Sequence, residues 1–233
     1  MAAATPSRTA STTTCFAINR LLTLDTAISR RLHYLCRPFV PTFILMLLEL
    51  SADFRFFFPI AIGLAVFPVS VPFLPFLSRL ILGLILDILV IAIVKLIFRR
   101  QRPSYNPAMS PVVSVDHFSF PSGHASRAFF VASLVFLSSA SLCSAIASNG
   151  NLNITGREEK TMLLIFNMIS VWAVSTAASR VLLGRHYLFD VLAGIGIGFL
   201  EGFVAFHFLS FEEQFLKFTS LIWGYFEKTR IAS

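Results

Sequence analysis

Four long runs of apolar residues, at 77–98, 125–147, 161–178 and 191–209, constrain this chain more than any other feature. Each approaches the ~20 residues that an α-helix needs to cross the hydrocarbon of a bilayer. With 56% hydrophobic and only 13% charged residues, a mean hydropathy of +0.77 and 26 phenylalanines, the chain lies outside the soluble globular class. The sequence predicts one all-α domain, a multi-pass transmembrane helical bundle. A fifth apolar region, 39–71, is interrupted by Asp53 and Arg55 and broken later by Pro59 and Pro68. It reads as a span preceded by an in-plane segment or as a short hairpin, so five spans are expected, with six as the alternative.

The flanks are of a different kind. Residues 1–14 are small and hydroxyl-rich with one arginine and no acid, which suits a disordered tail and weakly resembles an organellar transit peptide. From 17 to 35, Ile18, Leu21, Leu22, Leu24, Ile28, Leu32 and Leu35 recur at helical spacing between Arg20, Asp25, Arg30 and Arg31. That pattern predicts an amphipathic helix lying on the membrane surface. The expected organisation is therefore a tail and interfacial helix at 1–38, a membrane domain at 39–210 and an interfacial C-terminal tail at 211–233.

The net charge of +7 does not point to nucleic acid. Much of it sits in arginine motifs and span flanks, where it suits anionic head groups or phosphorylated substrates. Cys15, Cys36 and Cys143 are far apart and show neither metal nor redox spacing, so neither a metal nor another cofactor is expected. Glycines 194, 196, 198 and 202 superficially suggest a nucleotide fingerprint, but no strand precedes them; inside a span they mark close helix packing. Asn153-Ile-Thr155 is a glycosylation sequon by pattern.

Three polar stretches interrupt the greasy background. The first, ending the 77–98 run, holds Lys95, Arg99, Arg100, Arg102 and Pro103. Basic residues beyond a span are common topology signals, but Lys95 lies inside its last turn and Pro103 holds Arg102 near the span end. The second, Phe120-Pro-Ser-Gly-His-Ala-Ser-Arg127, opens the next run with Pro121 in a first helical turn, a start with free N–H groups that suits an anion. The third, Ser179 to Asp190, places Arg180, Arg185, His186 and Asp190 between two apolar runs. Groups of this kind beside a span are functional candidates. A helical turn would let Asp190 reach His186, fix its tautomer and leave the other nitrogen as base or nucleophile.

Span parity brings these stretches together. The 77–98 run ends on the face where the 125–147 run begins, and the 161–178 run returns the chain there. One face thus collects a lysine, several arginines, two histidines, an aspartate and a helix N-terminus. Metal-free phosphoryl transfer needs such a set: cationic clamps, a nucleophile and an acid for the leaving group. The same count puts Asn153 on the opposite side, where it is expected to be unmodified.

Lys95-x6-Arg102-Pro103, Pro121-Ser-Gly-His124 and Ser179-Arg180-x5-His186-x3-Asp190 together resemble the three-part signature of the type 2 phosphatidate phosphatase superfamily, which shares its fold with the vanadium haloperoxidases. The resemblance covers about 42–209. Leu86-Asp87, Arg99-Arg-Gln-Arg-Pro103, Ser119 to Arg127 and Ser179 to His186 look more narrowly like the polyisoprenoid diphosphate phosphatase branch and the plant lipid phosphate phosphatases of beta type. The resemblance implies that His186 attacks phosphorus, Asp190 orients it and His124 protonates the leaving oxygen. It further implies that Lys95, Arg102, Ser122, the Gly123 N–H and Arg180 hold phosphate oxygens. Arg99, Arg127 and Arg185 lie outside the general signature and are candidates for a second phosphate.

The expected function is a membrane phosphatase that needs no metal and acts on isoprenoid diphosphates or monophosphates of farnesyl, geranylgeranyl or presqualene type. Phosphatidate or lysophosphatidate hydrolysis is the alternative. Transfer to an acceptor other than water fits the same residues; a lipid-binding scaffold or transporter would need His124, His186 and Asp190 to be dispensable. The expected partners are the bilayer and the lipid phosphate. The family pattern suggests endoplasmic reticulum with a lumenal site, and the N-terminal composition keeps a plastid membrane as the alternative. Oligomeric state cannot be read from the sequence.

Overall fold

A chain entering lipid must satisfy its backbone hydrogen bonds internally, which makes each apolar run a helix. The computed structural model of the chain describes residues 8–66, 73–105, 117–149, 157–209 and, in the tail, 211, 213–214, 216–218, 220–222 and 224. Among the described residues eight α-helices are continuous, in order α1 Arg8–Cys36, α2 Thr42–Ser51, α3 Phe54–Val66, α4 Leu74–Phe98, α5 Gly123–Leu137, α6 Ser139–Asn149, α7 Arg157–Leu182 and α8 Leu188–Phe208, and the described tail residues from 213 on are helical as well. No strand occurs among the described residues, only an isolated antiparallel bridge between Gln101 and Phe118.

Among the described residues three helices are long and apolar enough to cross a membrane, covering Leu74–Phe98, Glu159–Leu182 and Leu188–Phe208; two bent pairs raise the number to five if each is one span. One is the expected 125–147 span. It is not a single rod: α5 stops at Ser138, whose N–H closes on the Leu134 carbonyl at 2.9 Å, and α6 departs at 65°. The other is α1 with α2, bent by 114°. The uncertain 39–71 region resolves into α2 and the 13-residue α3, parted at Ala52 and Asp53, with Pro59 accommodated inside α3. Helix α1 begins at Arg8, nine residues before the expected start at Ala17, so 8–14 are helical; 1–7 and Asn153 lie outside the described residues.

Helices α5 and α8 make the most extensive contact in the bundle. Three glycines of α8 explain it. A Cβ at Gly194 would strike the Ser122 carbonyl, at Gly198 the Ser126 carbonyl, and at Gly202 the Ser133 side chain. Spaced four apart, they form a stripe that seats α8 against the α5 backbone, the packing expected from the sequence. Gly196 faces open space and takes no part. Below this seam, Leu77, Leu80, Ile81, Leu84, Phe130, Leu134 and Ala205 form the main buried cluster.

Candidate active site

Each of the three polar stretches sits where a helix ends or begins, and the ends meet. Helix α4 terminates at Arg99, whose φ of 46° puts it in the left-handed region with its N–H on the Lys95 carbonyl at 2.9 Å. The chain then runs through Arg100–Pro103 and pairs with the segment before α5: the Ser119 N–H donates to the Arg100 carbonyl at 2.7 Å and the Ser119 hydroxyl to the Gln101 carbonyl at 3.1 Å. Helix α7 ends in a turn at Gly184, whose φ of 65° suits a residue without a Cβ. The Arg185 and His186 N–H groups close on the Arg180 carbonyl at 2.9 and 3.2 Å, so His186 precedes α8 instead of lying on it. The third stretch is tied to the second where the Ser122 N–H donates to the Asp190 carbonyl at 2.9 Å.

His186 is 1% exposed, and its Nδ1 lies 2.6 Å from the Ser119 carbonyl. A carbonyl only accepts, so this contact places the proton on Nδ1 and the lone pair on Nε2. The direct His186–Asp190 hydrogen bond expected from the sequence is absent. Asp190 Oδ2 stands 3.9 Å from Nδ1, because the turn at 184–187 interrupts the helical spacing that the expectation assumed. Asp190 instead accepts the Tyr187 N–H at 2.9 Å and an Arg100 N–H at 2.6 Å. Burial pushes the His186 imidazole well below its ordinary range, and Arg102, Arg180 and Lys95 push the same way; the Ser119 carbonyl opposes them. The imidazole is therefore neutral near pH 7.

The cations sort by their partners. Lys95 and Arg180 are 5% and 2% exposed and act electrostatically on His186 together with Arg102. Arg102 donates to the Arg185 carbonyl at 3.3 Å. Arg180 lies 2.9 Å from Glu49 Oε1 and Arg185 lies 3.5 Å from the same oxygen. Arg127 faces elsewhere: it donates to Asp87 and to the Ala52 carbonyl, both at 2.7 Å, and its guanidinium stacks over Phe54. Arg99 is exposed, with Nε on the Leu96 carbonyl at 2.9 Å. All three second-phosphate candidates have contacts within the protein: Arg127 with a buried carboxylate, Arg99 with the end of its own helix and Arg185 with the partly exposed Glu49.

Pro121 and Ser122 lie just outside α5, which begins at Gly123, so Pro121 precedes the first turn instead of occupying it. Ser122 is fully buried, yet neither its hydroxyl nor His124 Nε2 has a hydrogen-bond partner among the described residues. Buried polar atoms of this kind are normally satisfied, and a bound oxyanion would supply what they lack. No group of three or more His, Cys, Asp or Glu side chains is arranged to hold a metal among the described residues.

Sequence reasoning missed three participants. Arg100 bridges Asp190 and Asp25 at 2.6 Å each and lies 4.1 Å from the Tyr187 ring centroid. Asp25 comes from α1. Glu49, which faces two arginines, was detectable as a lone carboxylate inside the apolar 39–51 stretch.

Comparison with known proteins places the chain in a family. Phosphatidylglycerophosphatase B of Bacillus subtilis is 28% identical over 202 residues, covering 86% of this chain and 89% of that protein. A crystal structure of a transmembrane PAP2-type phosphatidylglycerolphosphate phosphatase from Bacillus subtilis shares the fold, with a TM-score of 0.60 at 22% identity over 80% of this chain and 85% of that one. The probable lipid phosphate phosphatase beta of Arabidopsis thaliana is 46% identical over 210 residues, covering 88% of this chain and 97% of that protein. The PAP2 superfamily profile matches residues 76–213, from α4 through α8 and all three polar stretches. This multi-pass membrane chain belongs to the PAP2 superfamily.

Proposed function

We propose that the chain is an integral-membrane lipid phosphate phosphatase that works through a phosphohistidine at His186 and prefers isoprenoid diphosphates and monophosphates. The observation that carries this reading is the His186 imidazole. It is buried and neutral, its Nδ1 proton is tied to the Ser119 carbonyl, and Lys95, Arg102 and Arg180 surround it.

In the proposed first step the Nε2 lone pair forms a bond to phosphorus and the bond to the leaving oxygen breaks. That oxygen takes a proton from His124 on the first turn of α5. The imidazole, now carrying phosphoryl on Nε2 and hydrogen on Nδ1, is positively charged; the Ser119 carbonyl and, 3.9 Å away, Asp190 stabilise it. In the second step water attacks phosphorus, His124 takes its proton, and the N–P electrons return to Nε2. Lys95, Arg102, Arg180, the Ser122 hydroxyl and the Gly123 N–H hold the equatorial oxygens, doing by fixed charge what a metal does elsewhere.

For a diphosphate, half-buried Arg185 beside Arg180 is the candidate for the second phosphate. Cleavage of phosphatidate or lysophosphatidate is the second reading, favoured by the glycerolipid substrate in the name of the Bacillus relative. In this reading the transmembrane phosphatase domain spans 39–210 with α1 packed against it, and the site is lumenal in the endoplasmic reticulum, with a plastid membrane as the alternative.

The test is phosphate release by detergent-purified protein, wild type and His186→Ala, supplied with farnesyl diphosphate, presqualene diphosphate and phosphatidic acid in chelator. Chelator-resistant release that disappears in the variant is expected, with the diphosphates turned over fastest. Equal activity of the two proteins would sink the role of His186. A preference for phosphatidic acid would select the second reading.

A further inference from the structure

Helix α1 is amphipathic in an unexpected sense. Its buried face is polar: Asp25, Ser29 and His33, spaced four apart, are 0%, 0% and 4% exposed. Its apolar residues point outward, with Leu21, Leu22, Leu24 and Ile28 between 42% and 52% exposed. A helix that merely floated on the membrane would bury the apolar stripe in lipid and leave the polar one to water. Here the polar stripe is closed against protein while the apolar one remains available to lipid.

What the stripe touches is the frame of the active site. Asp25 accepts the Phe189 N–H at 3.0 Å and the Ser29 hydroxyl accepts the Leu188 N–H at 2.8 Å, so α1 satisfies two of the orphan donors at the start of α8. His33 Nδ1 contacts the Leu182 carbonyl at the end of α7 at 2.7 Å. Above all, Asp25 Oδ2 accepts an Arg100 N–H at 2.6 Å, and the other arm of that guanidinium reaches Asp190 at 2.6 Å. None of this is visible from α4–α8 alone, the part that matches the family profile.

We infer that Asp25 is a positioning residue for phosphotransfer: it holds Arg100 so that Asp190 stays an anion at a fixed distance from His186. The inference rests on the phosphatase reading given above. Arg100 carries one positive charge and faces two carboxylates, so the trio keeps one net negative charge next to the imidazole that becomes cationic on phosphorylation. Without the Asp25 charge, Arg100 stays on Asp190 and neutralises it, so the transition state loses its counter-charge while substrate contacts remain intact. The effect therefore belongs in kcat and not in KM.

The experiment is steady-state kinetics with farnesyl diphosphate on detergent-purified full-length protein, melting temperature measured alongside. Asp25→Asn is expected to lower kcat at least tenfold with KM within twofold of wild type. Arg100→Lys keeps the charge but cannot fork to both carboxylates, and it should lose kcat to a similar extent even if Asp25→Asn fails to fold. Ser29→Ala removes a helix cap and a long 3.4 Å hydrogen bond to Asp25 Oδ1 but leaves Asp25 Oδ2 on Arg100, so it should lower the melting temperature and leave kcat within twofold. Folded Asp25→Asn or Arg100→Lys protein with kcat within twofold of wild type would overturn the inference. So would a Ser29→Ala loss as large as that of Asp25→Asn, which would make α1 a cap and nothing more. A wild type inactive on farnesyl diphosphate, presqualene diphosphate and phosphatidic acid alike would instead refute the phosphatase reading, and this inference with it.

Discussion

Two substitutions of the same chemistry, two residues apart on α8, should have opposite effects. At Gly198 an added Cβ would strike the Ser126 carbonyl and lie 2.8 Å from the Phe130 nitrogen, where ordinary contact begins at 3.4 Å. Relieving the second contact alone requires 3.4 − 2.8 = 0.6 Å of separation. Both obstacles are backbone, so no rotamer change helps and the helices themselves must part. Overpacking of this kind costs about 1–3 kcal/mol, and the absence of a yielding side chain puts Gly198→Ala at the upper end. The gain in helix propensity from Gly to Ala, about 1 kcal/mol, does not offset it. Activity should suffer too, because α5 carries His124, α8 carries Asp190, and their first turns are joined by the Ser122–Asp190 bond at 2.9 Å. A displacement approaching ~1 Å at a reacting centre can cost on the order of 10²-fold in rate. Gly196→Ala meets nothing within 4 Å and keeps only the propensity gain. The assay is a thermal melt in detergent followed by kcat on farnesyl diphosphate for both variants. Gly198→Ala should melt lower and lose at least tenfold in kcat, and Gly196→Ala should melt at or above wild type with kcat within twofold. If the two variants behave alike, α8 is not seated backbone-to-backbone on α5 and the reasoning fails.

Because burial and three cations hold His186 neutral, the acid limb of kcat/KM that it contributes should lie below the ordinary histidine value of about 6.5. Arg102→Gln removes a charge that opposes protonation, so in a pH–rate profile that limb should move to higher pH. Arg99→Gly should stabilise the protein by about 1 kcal/mol, read as a higher melting temperature, because glycine adopts the φ of 46° without cost. Arg127→Met leaves Asp87 buried and unpaired and should cost about 3–5 kcal/mol; adding Asp87→Leu should recover most of it in the same melt.

The helices at 74–98, 157–182 and 188–208 were legible because lipid leaves a long apolar run no other fold. The meeting of Lys95–Pro103, Ser122–His124 and Arg180–Asp190 followed from parity, which needs only the order of spans. What the sequence concealed was set by tertiary contact. The bend at Ser138 has no proline to announce it. The His186–Asp190 spacing of four looked helical, but the turn at Gly184 delays α8 until Leu188 and hands Nδ1 to the Ser119 carbonyl. The reversal of α1 was half legible: Asp25 sits three and four residues from Leu22, Leu21 and Ser29, so it lies close to a face that the spacing called apolar.

The arginines show how to sort a polar cluster in a membrane enzyme. Their residue type cannot separate phosphate clamps from structural ties, since all are planar donors suited to any oxyanion. The separating quantity is the balance of charge around each. Arg127 is paired with Asp87 at 2.7 Å, with side-chain exposures of 7% and 0%, and Glu201 and Asp53 also act on it electrostatically. Such a pair has no capacity for a phosphate, and a phosphate there would leave Asp87 repelling it. Arg100 faces two carboxylates and belongs to a site that is already anionic. Arg180 and Arg185 share Glu49, whose side chain is 23% exposed and so can turn toward solvent. Two arginines on one displaceable carboxylate are a pair that an incoming phosphate could take over from it. On this ground we propose Arg180 and Arg185 for the phosphate cradle and Arg127 and Arg100 for its frame.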